Sequence, residues 1–210
     1  MIIWLASYPK SGNTLLRSML TAYFYSKDGT FNFELLKNIN QFPNQTLFKN
    51  LGIDENNELE VIKNYIKVQE WINKRSGRSI NFIKTHSSLN DINGHRFTNL
   101  QNTLGVIYIV RDPRDIIRSY ANHSSISKEE AKNRILEIRT LGGKKDPKNK
   151  TIIHTGSWSS NYNSWKEFKN INKYFLIKFE DLILEPEKNL INILKFLHKV
   201  ANLELKIDKN

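Results

Sequence analysis

The chain has 210 residues, 39% of them hydrophobic, and no cysteine; this length allows one domain with a sizeable core and excludes disulfides and thiolate metal sites. No apolar run approaches the length of a membrane span, and a cysteine-free composition fits a reducing compartment, so a cytoplasmic location is expected. The 32 basic residues against 21 acidic ones give a net charge of +11, which suits a polyanionic ligand, but the lysines are scattered along the chain rather than gathered in a stripe, so no nucleic-acid partner is expected.

The first apolar run reads as a strand over 2–7, followed by the tight loop Tyr8-Pro9-Lys10-Ser11-Gly12-Asn13-Thr14 and a helix over 12–26. Arg17 and Ser18 interrupt the stretch Leu15–Tyr25, and a structured loop precedes it, so it is not read as a signal peptide. Backbone N–H groups at a helix start, together with a lysine, form an anion site. Lys10, Ser11, Gly12, Asn13 and Thr14 are therefore candidates for holding a phosphate or sulfate. The loop is not that of a nucleoside triphosphatase, because Lys10 precedes Gly12 and no glycine stands before it in the strand.

Residues 33–76 read as helical or irregular, with helical spacing in Leu59–Ile72. A strand over 80–85 leaves His86 just past its end. Imidazole titrates near neutral pH and can accept a hydroxyl proton; the alternative is a histidine that only satisfies the strand end. A buried strand over 105–110 runs into Arg111-Asp112-Pro113-Arg114-Asp115. Asp112 suits a helix N-cap and Pro113 the first helical position, which predicts a helix over 113–124. Arg111 would stand at the carboxyl end of a strand, where ligands bind in open α/β sheets, with Ser119 about two helical turns further on. The alternative has Arg111 paired with an acid and Ser119 on the surface.

Next come a helix over 127–140 and a Gly/Pro-punctuated basic loop over 142–153, in which the cluster Gly142–Lys150 reads as solvated. A helix over 157–169 places Trp158, Tyr162, Trp165 and Phe168 at core spacing. A strand over 174–179 and a helix over 186–198 complete the order. Strands alternating with helices imply an α/β three-layer sandwich with a mostly parallel sheet covered on both faces and right-handed connections. The loops after the first three strands then converge and place Lys10, His86 and Arg111 around one cleft.

Three of these segments together resemble the sulfotransferase family. The first loop is similar to its 5′-phosphosulfate loop, Tyr-Pro-Lys-Ser-Gly-Thr-Thr-Trp, with Asn13 for the first threonine and Leu15 for the tryptophan that stacks on adenine in many relatives. Arg111 and Ser119 match the arginine and serine that grip the 3′-phosphate. Lys84-Thr85-His86 resembles the Lys-Thr-His element whose histidine is the catalytic base. Gly156-Ser157-Trp158 through Trp165 looks like the Gly-x-Trp…Trp helix. Phe179-Glu180-Asp181-Leu182 looks like the strand end Tyr-Glu-Asp-Leu, and adenine contact and core packing are both open to Phe179.

The resemblance implies the sulfotransferase fold, a relative of the P-loop kinase fold. It implies 3′-phosphoadenosine-5′-phosphosulfate (PAPS) as sulfuryl donor, adenosine 3′,5′-bisphosphate (PAP) as product, and a hydroxyl or amine on a small-molecule or carbohydrate acceptor. By it, Lys10 and His86 are catalytic and Lys84 either assists the leaving group or is solvated. A glutamate or aspartate base, a binding protein without catalysis, and a P-loop kinase variant stay open as alternatives. The whole chain, 1–210, is expected to be one domain. The later Arg-Lys-Gly-x-x-Gly-Asp-Trp element of many relatives is not found in it; the expectation is either truncation or replacement by the basic segment Lys144–Lys150.

Overall fold

In the computed structural model, which describes residues 1–143, 146 and 150–202, the apolar run Ile2–Ala6 forms strand β1, buried at every position. Helix α1 (Asn13–Tyr25) and a 3-10 helix (Phe33–Asn38) lead to the two-residue strand β2 (Asn40–Gln41). Three short helices follow, α2 (Gln45–Lys49), α3 (Glu58–Lys63) and α4 (Tyr65–Arg75), then β3 (Asn81–Thr85), the small hairpin β4 (Asp91–Ile92) and β5 (His95–Arg96), and β6 (Thr103–Val110). The second half contains α5 (Pro113–Ser124), α6 (Lys128–Leu136), the hairpin β7 (Thr140–Gly142) and β8 (Ile152–His154), and α7 (Trp158–Ser164). A 3-10 turn (Trp165–Lys169), β9 (Tyr174–Lys178), α8 (Phe179–Leu184) and α9 (Pro186–Ala201) complete it.

Five strands form one sheet in the order β2-β3-β1-β6-β9, every pairing parallel. The pleat sends alternate residues of β1 to opposite faces. Ile2, Trp4 and Ala6 join a core with Phe42, Tyr65, Val68, Phe97 and Trp165, while Ile3 and Leu5 join another with Leu16, Leu20, Ile193 and Leu197. Both faces are thus covered, as near-continuous apolar strands require. The chain leaves β1 for β2 and β3 on one side and returns to β6 and β9 on the other. The loop after β1 therefore opens at the point where the strand order reverses, the usual ligand crevice of such sheets.

The chain departs from the sequence expectation in five places. The helical run Leu59–Ile72 breaks at Asn64, whose φ of −102° and ψ of 8° are not helical, so α3 and α4 are separate helices. The helix expected to 140 stops at Leu136, because Glu137 is extended and Thr140–Gly142 pairs antiparallel with Ile152–His154. The reading of 142–153 as loop therefore misses this hairpin; of its tip, 144, 145 and 147–149 lie outside the described residues. The helix expected over 157–169 tightens into the 3-10 turn at Trp165, and Phe179 starts α8 rather than ending β9. Trp165 and Phe168 are core, whereas Trp158 and Tyr162 are half-buried.

Candidate active site

The loop after β1 owes its shape to two left-handed residues. Lys10 takes φ 68°, an uncommon choice for a residue with a side chain, and Gly12 takes φ 95°. Gly12 is the N-cap of α1 and offers no side chain to its amides, so the positive end of the helix faces outward without a protein cap. A Cβ on Gly12 would stand 2.1 Å from the Phe179 ring, so only glycine fits there. Asn13 is buried and turns its amide inward, donating to Leu5 O (2.9 Å) and Ser7 Oγ (3.1 Å). Its side-chain N–H groups are thereby spent on the loop. Ser11 is buried with its hydroxyl unpartnered, an unusual state that a bound polar ligand would explain.

Strand β3 carries Lys84 and delivers His86 beside this loop. His86 Nδ1 lies 2.8 Å from the Ser7 carbonyl and 3.2 Å from Ser7 Oγ. A carbonyl only accepts, so Nδ1 carries the proton and Nε2 keeps its lone pair. Burial, followed by the charge of Lys84, pushes the His86 pKa down to about 3, with Arg17 and Lys10 adding to the effect. Lys84 Nζ donates to Gln41 Oε1 at 2.8 Å, and burial lowers its pKa to about 8. Arg17 on α1 donates to Leu36 O and Ile39 O, tying α1 to the segment before β2 that presents Gln41.

Asp112 caps α5 by accepting from Arg114 N, with Pro113 in the first turn, as the local sequence dictates. Arg111 lies between β6 and this cap. Its guanidinium donates to Lys10 O at 3.3 Å and stacks on the Phe179 ring at 4.3 Å. Among the described residues no carboxylate forms an ion pair with Arg111, and its Nε is buried without a partner. Phe179 thus packs on Gly12 and Arg111 at once.

Lys10, Gly12, Asn13, Thr14, Lys84, His86, Arg111 and Ser119 line one cavity of about 310 Å³. The three loops expected to converge do so. No carboxylate lines this cavity among the described residues, so cations, an uncapped helix start and a neutral imidazole share it. Such a site receives an anion and offers a base beside it.

Three residues of the site carried no sequence signal. Ser7 fixes the His86 tautomer and Gln41 holds Lys84. Asn161 on α7 is fully buried; it donates to His86 O (3.0 Å) and Thr155 O (2.8 Å) and accepts from Tyr108 Oη (2.7 Å).

Residues 2–209 match the family model described as the sulfotransferase domain. No curated protein sequence matches the chain. Among solved structures, the mouse sulfotransferase SULT7A1 complexed with PAP is similar at 18% identity and TM-score 0.53, covering 98% of this chain and 60% of that one. Retinol dehydratase complexed with retinol and PAP is similar at 16% identity and TM-score 0.54, covering 98% and 61%. The sulfotransferase domain of the Synechococcus PCC 7002 olefin synthase gives 19% identity and TM-score 0.50, covering 98% and 74%. At these identities the likeness is one of fold, and the chain spans about three-fifths of the length of the first two relatives.

Proposed function

The chain belongs to the sulfotransferase domain family, and we propose that it moves a sulfuryl group from PAPS to a hydroxyl or amine acceptor, in the cytoplasm. What carries this reading is the single cavity lined jointly by Lys10, His86 and Arg111, which follow three different strands, and by Ser119 of α5. The nucleotide fits the groups present. The uncapped start of α1 and Lys10 suit its 5′ end, and Arg111 and Ser119 suit a 3′-phosphate. The unpartnered Ser11 hydroxyl lies between Lys10 and Gly12 in the same loop.

PAPS supplies an activated sulfuryl group; the chain supplies position, charge and a base. Lys10 and the amides of Ser11–Thr14 meet the charge that grows on the leaving phosphate, a preorganised arrangement whose loss of one donor costs about a hundredfold in rate. Arg111 and Ser119 hold the far end of the nucleotide and so keep the reacting atoms in register. His86 Nε2 takes the acceptor's proton. Burial, and after it the neighbouring cations, hold His86 weakly basic. An anion seated among those cations offsets the repulsive part of this shift, so His86 becomes a better base once the donor is bound.

Calorimetry with PAP tests the reading without knowledge of the acceptor. The wild type is expected to bind, and Arg111→Ala to bind at least tenfold more weakly. Lys10→Ala is expected to lose turnover about a hundredfold or more with whichever acceptor is used. Failure of the wild type to bind PAP, or equal binding by Arg111→Ala, overturns the proposal. Binding without transfer to any acceptor would instead mark a catalytically silent relative, and ATP hydrolysis that needs magnesium would mark a kinase variant.

A further inference from the structure

His86 lines not one cavity but two. The second, of about 360 Å³, is lined by the β7–β8 hairpin, by Gln41 of β2 and by Asn44 just after it. We propose that this cavity seats the acceptor, and that the acceptor is a small polyhydroxylated alcohol of the sugar class rather than a phenol. The proposal rests on the sulfuryl-transfer reading above.

The lining argues for the class. Leu141 and Ile153 supply apolar surface from the hairpin, and Gln41, Asn44 and Asp146 supply polar groups. Among the described residues no phenylalanine, tyrosine or tryptophan lines the cavity, so apart from the His86 imidazole that takes the proton it offers no ring to stack on a flat arene. The amide oxygens are already engaged: Gln41 Oε1 accepts from Lys84 Nζ, and Asn44 Oδ1 accepts from Thr46 N. What remains on both side chains is an N–H2 group, the partner for hydroxyl oxygens. A site built to hydrogen-bond hydroxyls rejects an analogue that lacks them.

Hydrogen bonds tie the described strands of the hairpin to their surroundings. Ser88 N and Ser88 Oγ both donate to His154 O and fasten β8 to the exit of β3, while Lys150 N donates to Gln45 Oε1 and fastens the hairpin's far end to α2. In the step so arranged, an acceptor hydroxyl oxygen bonds to sulfur and its proton passes to His86 Nε2. The sulfur–oxygen bond to the 5′-phosphate breaks, and its electron pair stays on PAP.

The test uses the full chain, radiolabelled PAPS, and two sets of probe acceptors. Methyl glucoside, methyl galactoside and N-acetylglucosamine form one set, and 4-nitrophenol the other. At least one sugar is expected to be sulfated with kcat/KM tenfold or more above that of 4-nitrophenol. Leu141→Trp, which fills the cavity from an incompletely buried hairpin position, should lower transfer to that sugar at least tenfold. Asn44→Asp, which keeps the α2 cap but replaces the N–H2, should raise the sugar's KM at least fivefold. PAP affinity should stay within twofold of wild type in both. A preference for 4-nitrophenol, no transfer to any sugar by a chain that binds PAP, or unchanged kinetics in both variants overturns this inference alone. A wild type that does not bind PAP overturns the reading beneath it.

Discussion

Lys84 is the residue whose ionisation falls within the working range. Burial lowers its pKa to about 8 and its partner is a neutral amide, Gln41 Oε1, so the cation dominates below that pH and is lost above it. If its charge assists the leaving group, kcat/KM should decline as pH rises through about 8, and Lys84→Met should abolish that alkaline limb along with part of the rate. A pH–rate profile that is the same in both proteins would assign Lys84 a structural role. The loop next to it shows how far single residues can be read from sequence. Lys10 and Gly12 were legible as candidates because a strand–loop–helix order with a lysine in the loop puts backbone N–H groups and a cation together there. The reason Gly12 tolerates no side chain was not, since the obstacle is Phe179, which approaches from the far end of the chain.

At the scale of elements, α5 and α7 differ in what their sequences declare. Asp112 and Pro113 announce the start of α5, and with it the separation of Arg111 from Ser119. Helix α7 looks locally like a carrier of core aromatics, yet its most consequential side chain is Asn161. Removing it would leave the carbonyls of His86 and Thr155 and the Tyr108 hydroxyl without their partner. Asn161→Ala is therefore expected to lose about 3 kcal/mol of stability or more, given about 1–3 kcal/mol for each of the three buried groups left unsatisfied. Its kcat should fall while PAP affinity changes little, because Asn161 supports His86 and not the anion loop. Urea unfolding and PAP calorimetry on the same preparation check both halves. A loss of PAP affinity equal to the loss of kcat would show that α7 supports the whole cleft. The β7–β8 hairpin is a third case: its strands are three residues each, too short for a periodic signal, and only their mutual pairing reveals them.

For the molecule as a whole, charge and topology act together. A net charge of +11 and a cavity holding Lys10, Lys84 and Arg111 predict binding driven largely by Coulomb attraction. The PAP dissociation constant should rise several-fold as the Debye length shrinks from about 30 Å at 0.01 M salt to about 10 Å at 0.1 M. A salt-independent constant would contradict a cation-lined site. The sequence by itself determined the alternation of strands and helices, the loop after β1, the α5 cap and the identity of the cleft residues, because neighbours along the chain carry each of those signals. The tertiary structure alone decided what holds the cleft residues and what lies beyond them. Ser7 meets His86 across 79 positions, Asn161 meets it across 75, and Gln41 meets Lys84 across 43. Those meetings, and the second cavity that His86 lines, follow from the order β2-β3-β1-β6-β9. That order is set by how two apolar faces are covered in space, a quantity that local pattern does not contain.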